Sequence, residues 1–331
     1  MSAEGTYVLG IDSGGTKTAA WCADAAGHVV GDARGGPANR FTVDPERLAR
    51  TVRDVISGAL PPAPRPVPLS IVCVVGPAGQ EVVERVSGEL ARAGTLARPP
   101  VVIRPPEPEA GLVTVTPHRS GVSIVAGTGS SAWGATADGR EWFTGGWGAW
   151  YGDEGSGYWI VREAIRRAAQ AEDGRGPATV LVDRFCRELG VSRLRDGVGE
   201  LYRGRFQARD RVAAWCPIVA DAARGGDAVA AAVWRQAATE LGLHAAACAE
   251  ALAFTEPVPC ACSGGLFRAR DLLWEPLCAE LRRRAPLLVP VIAPYEPVAG
   301  AVLLALRRLH GALSEALIAR VGGRGASLWG G

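Results

Sequence analysis

Two glycine-rich turns are the stretches of this sequence best suited to chemistry. The first, Ser13–Thr16, follows a predicted strand over 6–12, and the second, Gly127–Ser130, follows the apolar run 122–126. A turn of this kind between two strands directs backbone N–H groups and hydroxyls into one concavity, which suits phosphate oxygens. The second turn taken alone is also typical of an ordinary hairpin, so the rest of the chain has to decide between the two interpretations.

A further glycine-rich segment carries two adjacent carboxylates. The run GGWG at 145–148 leads into GDEGSG at 152–157, which puts Asp153 and Glu154 at a predicted helix start. This pattern indicates a ligand-facing loop, while capping of the helix by the two carboxylates is the structural alternative. Four aromatic residues in this region are predicted to pack in the interior: Trp147, Trp150, Tyr158 and Trp159.

The composition excludes several classes of protein. The 331 residues suffice for about two domains, and 48% hydrophobic with 21% charged residues is typical of a soluble globular protein. The net charge is +2 without a basic cluster, so nucleic acid is not an expected partner. With neither a secretory leader nor an apolar run of 18 residues, we expect a cytoplasmic protein and no membrane partner.

Eight cysteines are scattered through apolar runs and form no CxxC pair. Disulfides are rare in the cytosol, and a zinc site requires paired spacing. We therefore predict buried free thiols.

The order of predicted elements occurs twice: three hairpin-connected strands, a helix, a strand, a helix and a strand. In the first half the strands are predicted at 6–12, 18–23, 28–31, 69–75 and 101–103, with a helix capped by Asp44 and another over 82–90. In the second half the strands are predicted at 121–126, 132–137, 141–143, 258–262 and 287–292, with helices at 154–171, 270–284 and 298–309, a helical insertion at 177–254 and a frayed tail after Gly322. Two similar α/β domains with opposed phosphate turns fit a nucleoside triphosphate better than a dinucleotide, whose fold uses one GxGxxG turn.

In this order the motifs resemble the sugar-kinase, actin and Hsp70 ATPase superfamily, and within it the N-acetylglucosamine kinase and BadF/BadG/BcrA/BcrD ATPase group. The resemblance covers nearly the whole chain. The motifs that carry it are Ile11–Thr18, Gly127–Ser130, Cys262–Gly265, Pro297–Ala301 and the signature GGWG…GDEGSGYW at 145–159. It implies duplicated actin-like, ribonuclease H-like α/β domains facing a central cleft. A sugar-side domain would span 1–118 with 297–321, and a nucleotide-side domain would span 119–296.

The resemblance also implies roles for individual residues. Asp12 would hold the Mg²⁺ of MgATP through water, although a strand-end turn is its structural alternative; Lys17 is either a phosphate contact or a solvated turn residue. The implied phosphate contacts are Gly14, Gly15, Thr16, Gly127, Thr128, Gly129 and Ser130, and the implied adenosine contacts are Gly264 and Gly265. The implied sugar contacts are Asn39, Gly79, Gly146, Asp153 and Glu154.

One position departs from the group's pattern. The group has Asn-Asp-Ala where this chain has Pro108-Glu109-Ala110, and the aspartate is its general base. We predict Glu109 as the base, with Glu107 as a second candidate. A glutamate lengthens the arm by about one C–C bond, which matters because a base must lie about 3 Å from the proton it takes.

The predicted function is ATP-dependent phosphorylation of a hydroxyl on an amino sugar or similar small molecule, with ATP and Mg²⁺ as cofactors and a homodimer as the assembly. An electron-activating ATPase is one alternative, and it would need cysteines exposed for an iron–sulfur cluster. A catalytically silent sugar- or nucleotide-binding protein is the other.

Overall fold

The protein, described here from a computed structural model, divides into two compact units. The structure describes residues 6–202 and 208–323. Unit 1 comprises Met1–Ser120 with Ala293–Gly331, and unit 2 comprises Gly121–Ile292. The sequence-predicted joins, at 118/119 and 296/297, lie two and four residues from these joins. The predicted frayed tail falls mostly on 324–331, outside the described residues.

Unit 1 is built on a mixed five-stranded sheet. Its strands are β1 (Tyr7–Ser13), β2 (Thr18–Asp24), β3 (Val29–Gly35), β4 (Leu69–Val75) and β5 (Val101–Ile103). They lie in the order β3-β2-β1-β4-β5, with the first three antiparallel and β1, β4 and β5 parallel. The sequence of β4, apolar except for Ser70, fits its position between β1 and β5, where both faces of the strand are largely buried.

Helices cover both faces of this sheet. They are α1 (Pro45–Ala59), α2 (Gln80–Arg92), α3 (Glu109–Leu112), α12 (Pro297–His310) and α13 (Glu315–Gly322). The first begins as predicted, with Asp44 accepting a hydrogen bond from the backbone N–H of Arg47 at 2.9 Å. One face packs on α1 and α2, and the other packs on α3, α12 and α13. The short helices α3 and α13 were absent from the sequence prediction.

Unit 2 repeats the sheet. Its strands are β6 (Gly121–Ala126), β7 (Ser130–Ala135), β8 (Glu141–Gly145), β9 (Val258–Ser263) and β10 (Leu288–Ile292). The order β10-β9-β6-β7-β8 has antiparallel pairing from β6 to β8 and parallel pairing from β6 through β9 to β10. This arrangement matches unit 1 strand for strand, which confirms the predicted duplication. β7 begins two residues earlier than predicted, because the backbone resumes its ladder directly after the glycine turn.

The helices of unit 2 lie mostly in the insertion. They are α4 (Gly148–Tyr151), α5 (Gly157–Glu172), α6 (Leu181–Leu189), α7 (Val198–Tyr202), α8 (Arg209–Ala213), α9 (Cys216–Arg224), α10 (Ala228–Leu252) and α11 (Arg270–Arg284). The long α10 packs against β7, β8 and α11. α5 begins three residues later than predicted because Ser156, not Asp153 or Glu154, caps it through the N–H of Trp159 at 3.2 Å. The two carboxylates therefore have no capping role.

Both units place a left-handed glycine against the end of their first strand. Gly76 follows β4 with φ +85°, and a Cβ there would lie 2.0 Å from the carbonyl oxygen of Ser13. Gly264 follows β9 with φ +105°, and a Cβ there would lie 2.3 Å from the carbonyl oxygen of Ala126. Only glycine combines this conformation with this approach. The two phosphate-turn regions are thus built in the same way.

Two of the expectations drawn from composition can be compared with the structure. All eight cysteines are buried free thiols, as predicted. Of the helices within 6–202 and 208–323, none is long and apolar enough to cross a membrane.

The packing of α12 gives a testable prediction. A Cβ on Gly300 would lie 2.0 Å from the carbonyl oxygen of Ala110, so Gly300→Ala must push α12 away from α3. We expect it to lower the free energy of unfolding by roughly 1–3 kcal/mol, as overpacking does, measured by denaturant titration.

Gly88→Ala is the matched control, because it makes the same change within α2. The nearest atom to its new Cβ is an Arg92 guanidinium nitrogen at 3.6 Å, which is ordinary contact. Alanine is the better helix former, so we expect this variant to gain up to about 1 kcal/mol. Equal effects of the two substitutions would contradict the proposed close approach of α12.

Candidate functional site

The first phosphate turn is tied to two neighbouring loops by hydrogen bonds within unit 1. The carbonyl of Gly14 accepts from the N–H of Ala38 at 3.1 Å. The hydroxyl of Ser13 donates to the carbonyl of Val75 at 2.8 Å and accepts from the N–H of Ala78 at 3.0 Å. These bonds hold the loop before Asn39 and the turn 76–79 beside the end of β1.

Asp12 lies in β1 just before this turn and carries a perturbed carboxyl. The side chain retains some solvent contact, but the surrounding protein raises its pKa to about 6. Burial is the main cause; Lys17 opposes the shift, and Glu296 adds to it. Lys17 offsets the cost of burying the Asp12 carboxylate only in part, so this carboxylate is suited to bind a divalent ion.

The predicted sugar residues of unit 1 lie near this turn. Asn39 directly follows Ala38, and its side-chain oxygen accepts from the N–H of Phe41 at 3.0 Å. The N–H of Arg40 donates to the carbonyl of Pro77 at 3.2 Å, and a Cβ on Gly79 would lie 3.2 Å from the Arg40 guanidinium. Arg40 therefore links the loop that contains Asn39 to the turn that ends at Gly79. Gly15 is partly exposed, while Thr16 and Lys17 are exposed.

Glu109 has surroundings that differ from those of an active-site base. The residue is 1% exposed, and its carboxylate accepts from Arg119 Nε at 2.7 Å and from the guanidinium of Arg307 on α12. Two guanidinium groups and the protein interior thus enclose the carboxylate, which leaves it poorly placed to reach a substrate hydroxyl. Glu107, two residues earlier, is exposed.

The second phosphate turn is tied to the GDEG segment within unit 2. The N–H of Ser130 lies 3.4 Å from Asp153 Oδ1, and its hydroxyl donates to the carbonyl of Glu154 at 2.6 Å. The carbonyl of Ser130 accepts from the N–H of Gly146 at 3.0 Å, and the N–H of Gly157 donates to the carbonyl of Gly127 at 2.9 Å. The turn, including Thr128 and Gly129, therefore adjoins the predicted sugar residues Gly146, Asp153 and Glu154.

Asp153 is a buried and strained residue at this junction. It is 2% exposed with φ +61°, a left-handed conformation that is uncommon outside glycine. Its Oδ2 lies 2.7 Å from a guanidinium nitrogen of Arg209, on α8. Burial raises the pKa of the Asp153 carboxyl, and Arg209 opposes this shift only in part.

Glu154 faces a histidine that the sequence analysis did not identify. His244 Nε2, on α10, lies 3.9 Å from Glu154 Oε2. Burial lowers the pKa of His244, and Glu154 opposes that shift, so the imidazole is neutral at pH 7. Neither His244 nor Arg209 belongs to a motif, and only the fold brings them to Glu154 and Asp153.

The predicted adenosine motif lies at the end of β9. Gly264 contacts the end of β6, as described above, and Gly265 begins a 3₁₀ turn over Gly265–Arg268. A Cβ built on Gly265 would meet no atom within 4 Å. The backbone here is open to a ligand, as a nucleoside-binding segment requires.

Two of the aromatic predictions were wrong. Trp147 and Trp150 are 73% and 94% exposed, whereas Trp159 is buried as predicted. Tyr151 beside them is 85% exposed. The short helix α4 lies between left-handed glycines and the GDEG segment, so its rings face solvent rather than a core. An exposed aromatic group of this size indicates an interaction surface.

The possible metal ligands in the described residues suit an ion that binds together with a nucleotide. Within the described residues no group of three or more His, Cys, Asp or Glu side chains converges on one point. Mg²⁺ with bound phosphates needs only one or two protein carboxylates, a role that Asp12 fits. The electron-activating alternative needs accessible cysteines, and all eight are buried.

Comparisons with known proteins agree on a relationship to amino-sugar kinases. The chain is 28% identical over 306 residues to an N-acetylmuramic acid/N-acetylglucosamine kinase from Clostridium acetobutylicum, covering 90% of this chain and 98% of that protein. It is also 28% identical over 188 residues to an N-acetyl-D-glucosamine kinase from Dictyostelium discoideum, covering 56% and 59% of the two chains.

Solved structures share the fold. A protein from Chromobacterium violaceum assigned as an N-acetylglucosamine kinase has 27% identity and a TM-score of 0.68, with 91% and 98% of the two chains covered. A ROK family glucokinase from Streptomyces griseus, with glucose and AMPPNP bound, has 19% identity and a TM-score of 0.57 over 90% and 98%. These likenesses identify two actin-like domains of the sugar-kinase type. A family model matches residues 9–305, and the chain therefore belongs to the BadF/BadG/BcrA/BcrD ATPase family.

Proposed function

We propose that the protein transfers the γ-phosphoryl group of ATP to a hydroxyl of an N-acetylated amino sugar. The observation that carries this proposal is the hydrogen-bonded junction of Gly127–Ser130 with Asp153 and Glu154. These hydrogen bonds place a phosphate-binding turn beside carboxylates that can accept hydrogen bonds from sugar hydroxyls, all within unit 2. The kinases named among the relatives support the choice of amino sugar.

The proposed nucleotide contacts are main-chain groups and Asp12. Each unit by itself offers a glycine turn with N–H donors for phosphates, Gly14–Thr16 in unit 1 and Gly127–Ser130 in unit 2, and the open backbone at Gly265 leaves room for adenosine. Asp12 would hold Mg²⁺, which when bound neutralises charge on the phosphate oxygens. In phosphoryl transfer most of the catalytic effect comes from such positioning and electrostatics.

Each unit offers proposed sugar contacts around its own glycine turn. In unit 2, Asp153 and Glu154 accept hydrogen bonds from sugar hydroxyls, and the N–H of Gly146 lies in the same loop system. In unit 1, Asn39 and Gly79 supply polar and close backbone contacts. That Asn39 and Asp153 bind one sugar molecule together remains a prediction.

We assign the base to Glu107 rather than to Glu109. Glu109 lies in α3 and points inward to Arg119 and Arg307. Glu107 lies in the turn just before α3 and is exposed. In the reaction the Glu107 carboxylate takes the hydroxyl proton, the sugar oxygen bonds to the γ-phosphorus, the bond from that phosphorus to the β–γ bridging oxygen breaks, and ADP leaves.

An ADP-release assay over a panel of sugars tests the function itself. We expect turnover with N-acetylglucosamine or N-acetylmuramic acid, slower turnover with glucose, and none for Asp12→Ala. ATP hydrolysis at the same rate with and without sugar would contradict the proposal and favour a plain ATPase. Binding of sugar and ATP without turnover would favour the silent binder.

Glutamine substitutions test the choice of base. Glu107→Gln keeps the size of the side chain but cannot accept a proton, so kcat should fall roughly 10²-fold or more. Glu109→Gln removes the charge between two guanidinium groups, so the melting temperature should fall while kcat changes less. If Glu109→Gln is stable but loses kcat while Glu107→Gln keeps it, Glu109 is the base.

The raised pKa of Asp12 predicts a stability effect that depends on pH. A carboxyl whose pKa is raised by folding makes the folded protein lose stability as pH rises from about 4, the unfolded value, to about 6. Asp12→Asn removes this destabilisation. Without nucleotide, the variant should therefore have a higher melting temperature than wild type at pH 7.5. Its gain in the free energy of unfolding should be roughly halved at pH 5.

The matched control is Asp54→Asn, which removes an exposed carboxylate from α1. We expect no comparable pH-dependent gain from it. Differential scanning calorimetry at both pH values provides the measurement. An Asp12→Asn variant no more stable than wild type at pH 7.5 would rule out the desolvation cost assigned to Asp12.

A further inference from the structure

Three groups meet at Gly129 in the second phosphate turn. A Cβ built on Gly129 would lie 2.6 Å from Arg209 Nη2 and 2.7 Å from Asp153 Oδ1. The backbone of the turn therefore touches a guanidinium and a carboxylate at one point. A Cβ on Gly148 would lie 3.8 Å from Arg209 Nη1, so the same guanidinium also reaches the start of α4.

The pair between Arg209 and Asp153 is close but incompletely bonded. Their nearest atoms lie 2.7 Å apart, but with the residues that the structure describes neither Asp153 Oδ2 nor Arg209 Nε forms a hydrogen bond of normal geometry. The short distance identifies an ion pair, and the poor angles leave hydrogen-bonding capacity unused on both partners. Because buried polar atoms are nearly always satisfied, such atoms beside a ligand turn indicate a ligand.

The charges around the turn show which ligand the guanidinium suits. Phosphate oxygens bound at Gly127–Ser130 would lie beside the carboxylates of Asp153 and Glu154, which repel them. In the described part of unit 2, Arg162 also acts on Asp153 electrostatically, but it lies over the ring of Tyr158 and 3.4 Å from the carbonyl of Ala149. Arg209 is the cation in direct contact with both the carboxylate and the turn.

We propose that Arg209 is a phosphoryl-binding residue of this kinase, held by Asp153 until substrates arrive. When the nucleotide binds, its oxygens take the guanidinium, and Asp153 turns its unused oxygen to a sugar hydroxyl. Arg209 then neutralises charge beside the transferred group, which a planar guanidinium does with two parallel hydrogen bonds. This role rests on the proposed kinase function. In it, Arg209 and Asp153 give up their contact with each other when the two substrates bind, Arg209 to the nucleotide and Asp153 to the sugar.

Binding of inorganic tripolyphosphate, measured by isothermal titration calorimetry without sugar, tests the proposal directly. Loss of one charge-assisted contact should weaken the Kd of Arg209→Ala roughly 10- to 100-fold. Arg209→Lys should recover part of the affinity, because it keeps the charge without the planar fork. Arg211→Ala is the matched control, since Arg211 is exposed two residues later on α8, and it should bind as wild type does.

Kinetics separate a phosphoryl contact from a structural role. The kcat/KM for ATP should fall in Arg209→Ala, and guanidinium chloride at low millimolar concentration should restore part of it, which a purely structural arginine would not allow. If Arg209→Ala is unstable because Asp153 loses its counter-ion, the double variant with Asp153→Asn removes that charge and is titrated with tripolyphosphate instead.

An Arg209→Ala protein that binds tripolyphosphate with the wild-type Kd would overturn the proposal. Wild-type turnover on an amino sugar in the ADP-release assay would at the same time leave the kinase function standing. A wild type that binds neither tripolyphosphate nor MgATP would instead overturn the kinase function, so the two failures are distinguishable.

Discussion

The rest of the site depends on one constraint, the close backbone approach at the end of the first strand in each unit. Gly76 and Gly264 leave no space for a Cβ against Ser13 and Ala126, and both adopt left-handed conformations. A strand end held in this way has a fixed position, so the turn that follows it also has one. Phosphate recognition by main-chain N–H groups requires that precision, since a turn that drifts loses several donors together.

Each unit holds its turn with both main-chain and side-chain hydrogen bonds. In unit 1 the main-chain bond from Ala38 to Gly14 is joined by the bonds of the Ser13 hydroxyl to Val75 and Ala78. In unit 2 the main-chain bonds from Gly146 to Ser130 and from Gly157 to Gly127 are joined by the side chains of Ser130 and Asp153. Of the side chains in these bonds Asp153 is the charged one, and this is why the proposed exchange of partners on ligand binding involves unit 2.

Local patterns in the sequence were enough for much of the fold, including the positions of both glycine turns. Apolar runs between turns identified β4 and β5 to the residue, and the duplicated order of elements identified both glycine turns. Contacts between distant segments left no such pattern. Arg209 reaches Asp153 across more than fifty residues, and His244 reaches Glu154 across ninety, so neither spacing forms a motif. Trp147 and Trp150 were misjudged because hydrophobicity predicts burial only where an element has a core to face.

The departure at Glu109 follows from the packing of unit 1. The same two helices, α3 and α12, meet at Gly300 with no room for a Cβ and are joined by the ion pair of Glu109 with Arg307. With Arg119 added, the buried carboxylate faces two cations, an arrangement that stabilises the contact only while all three groups are present. A carboxylate in that contact has little freedom to approach a substrate hydroxyl. This packing, together with the exposure of Glu107 just before α3, is the reason why the proposed reaction uses Glu107 as its base.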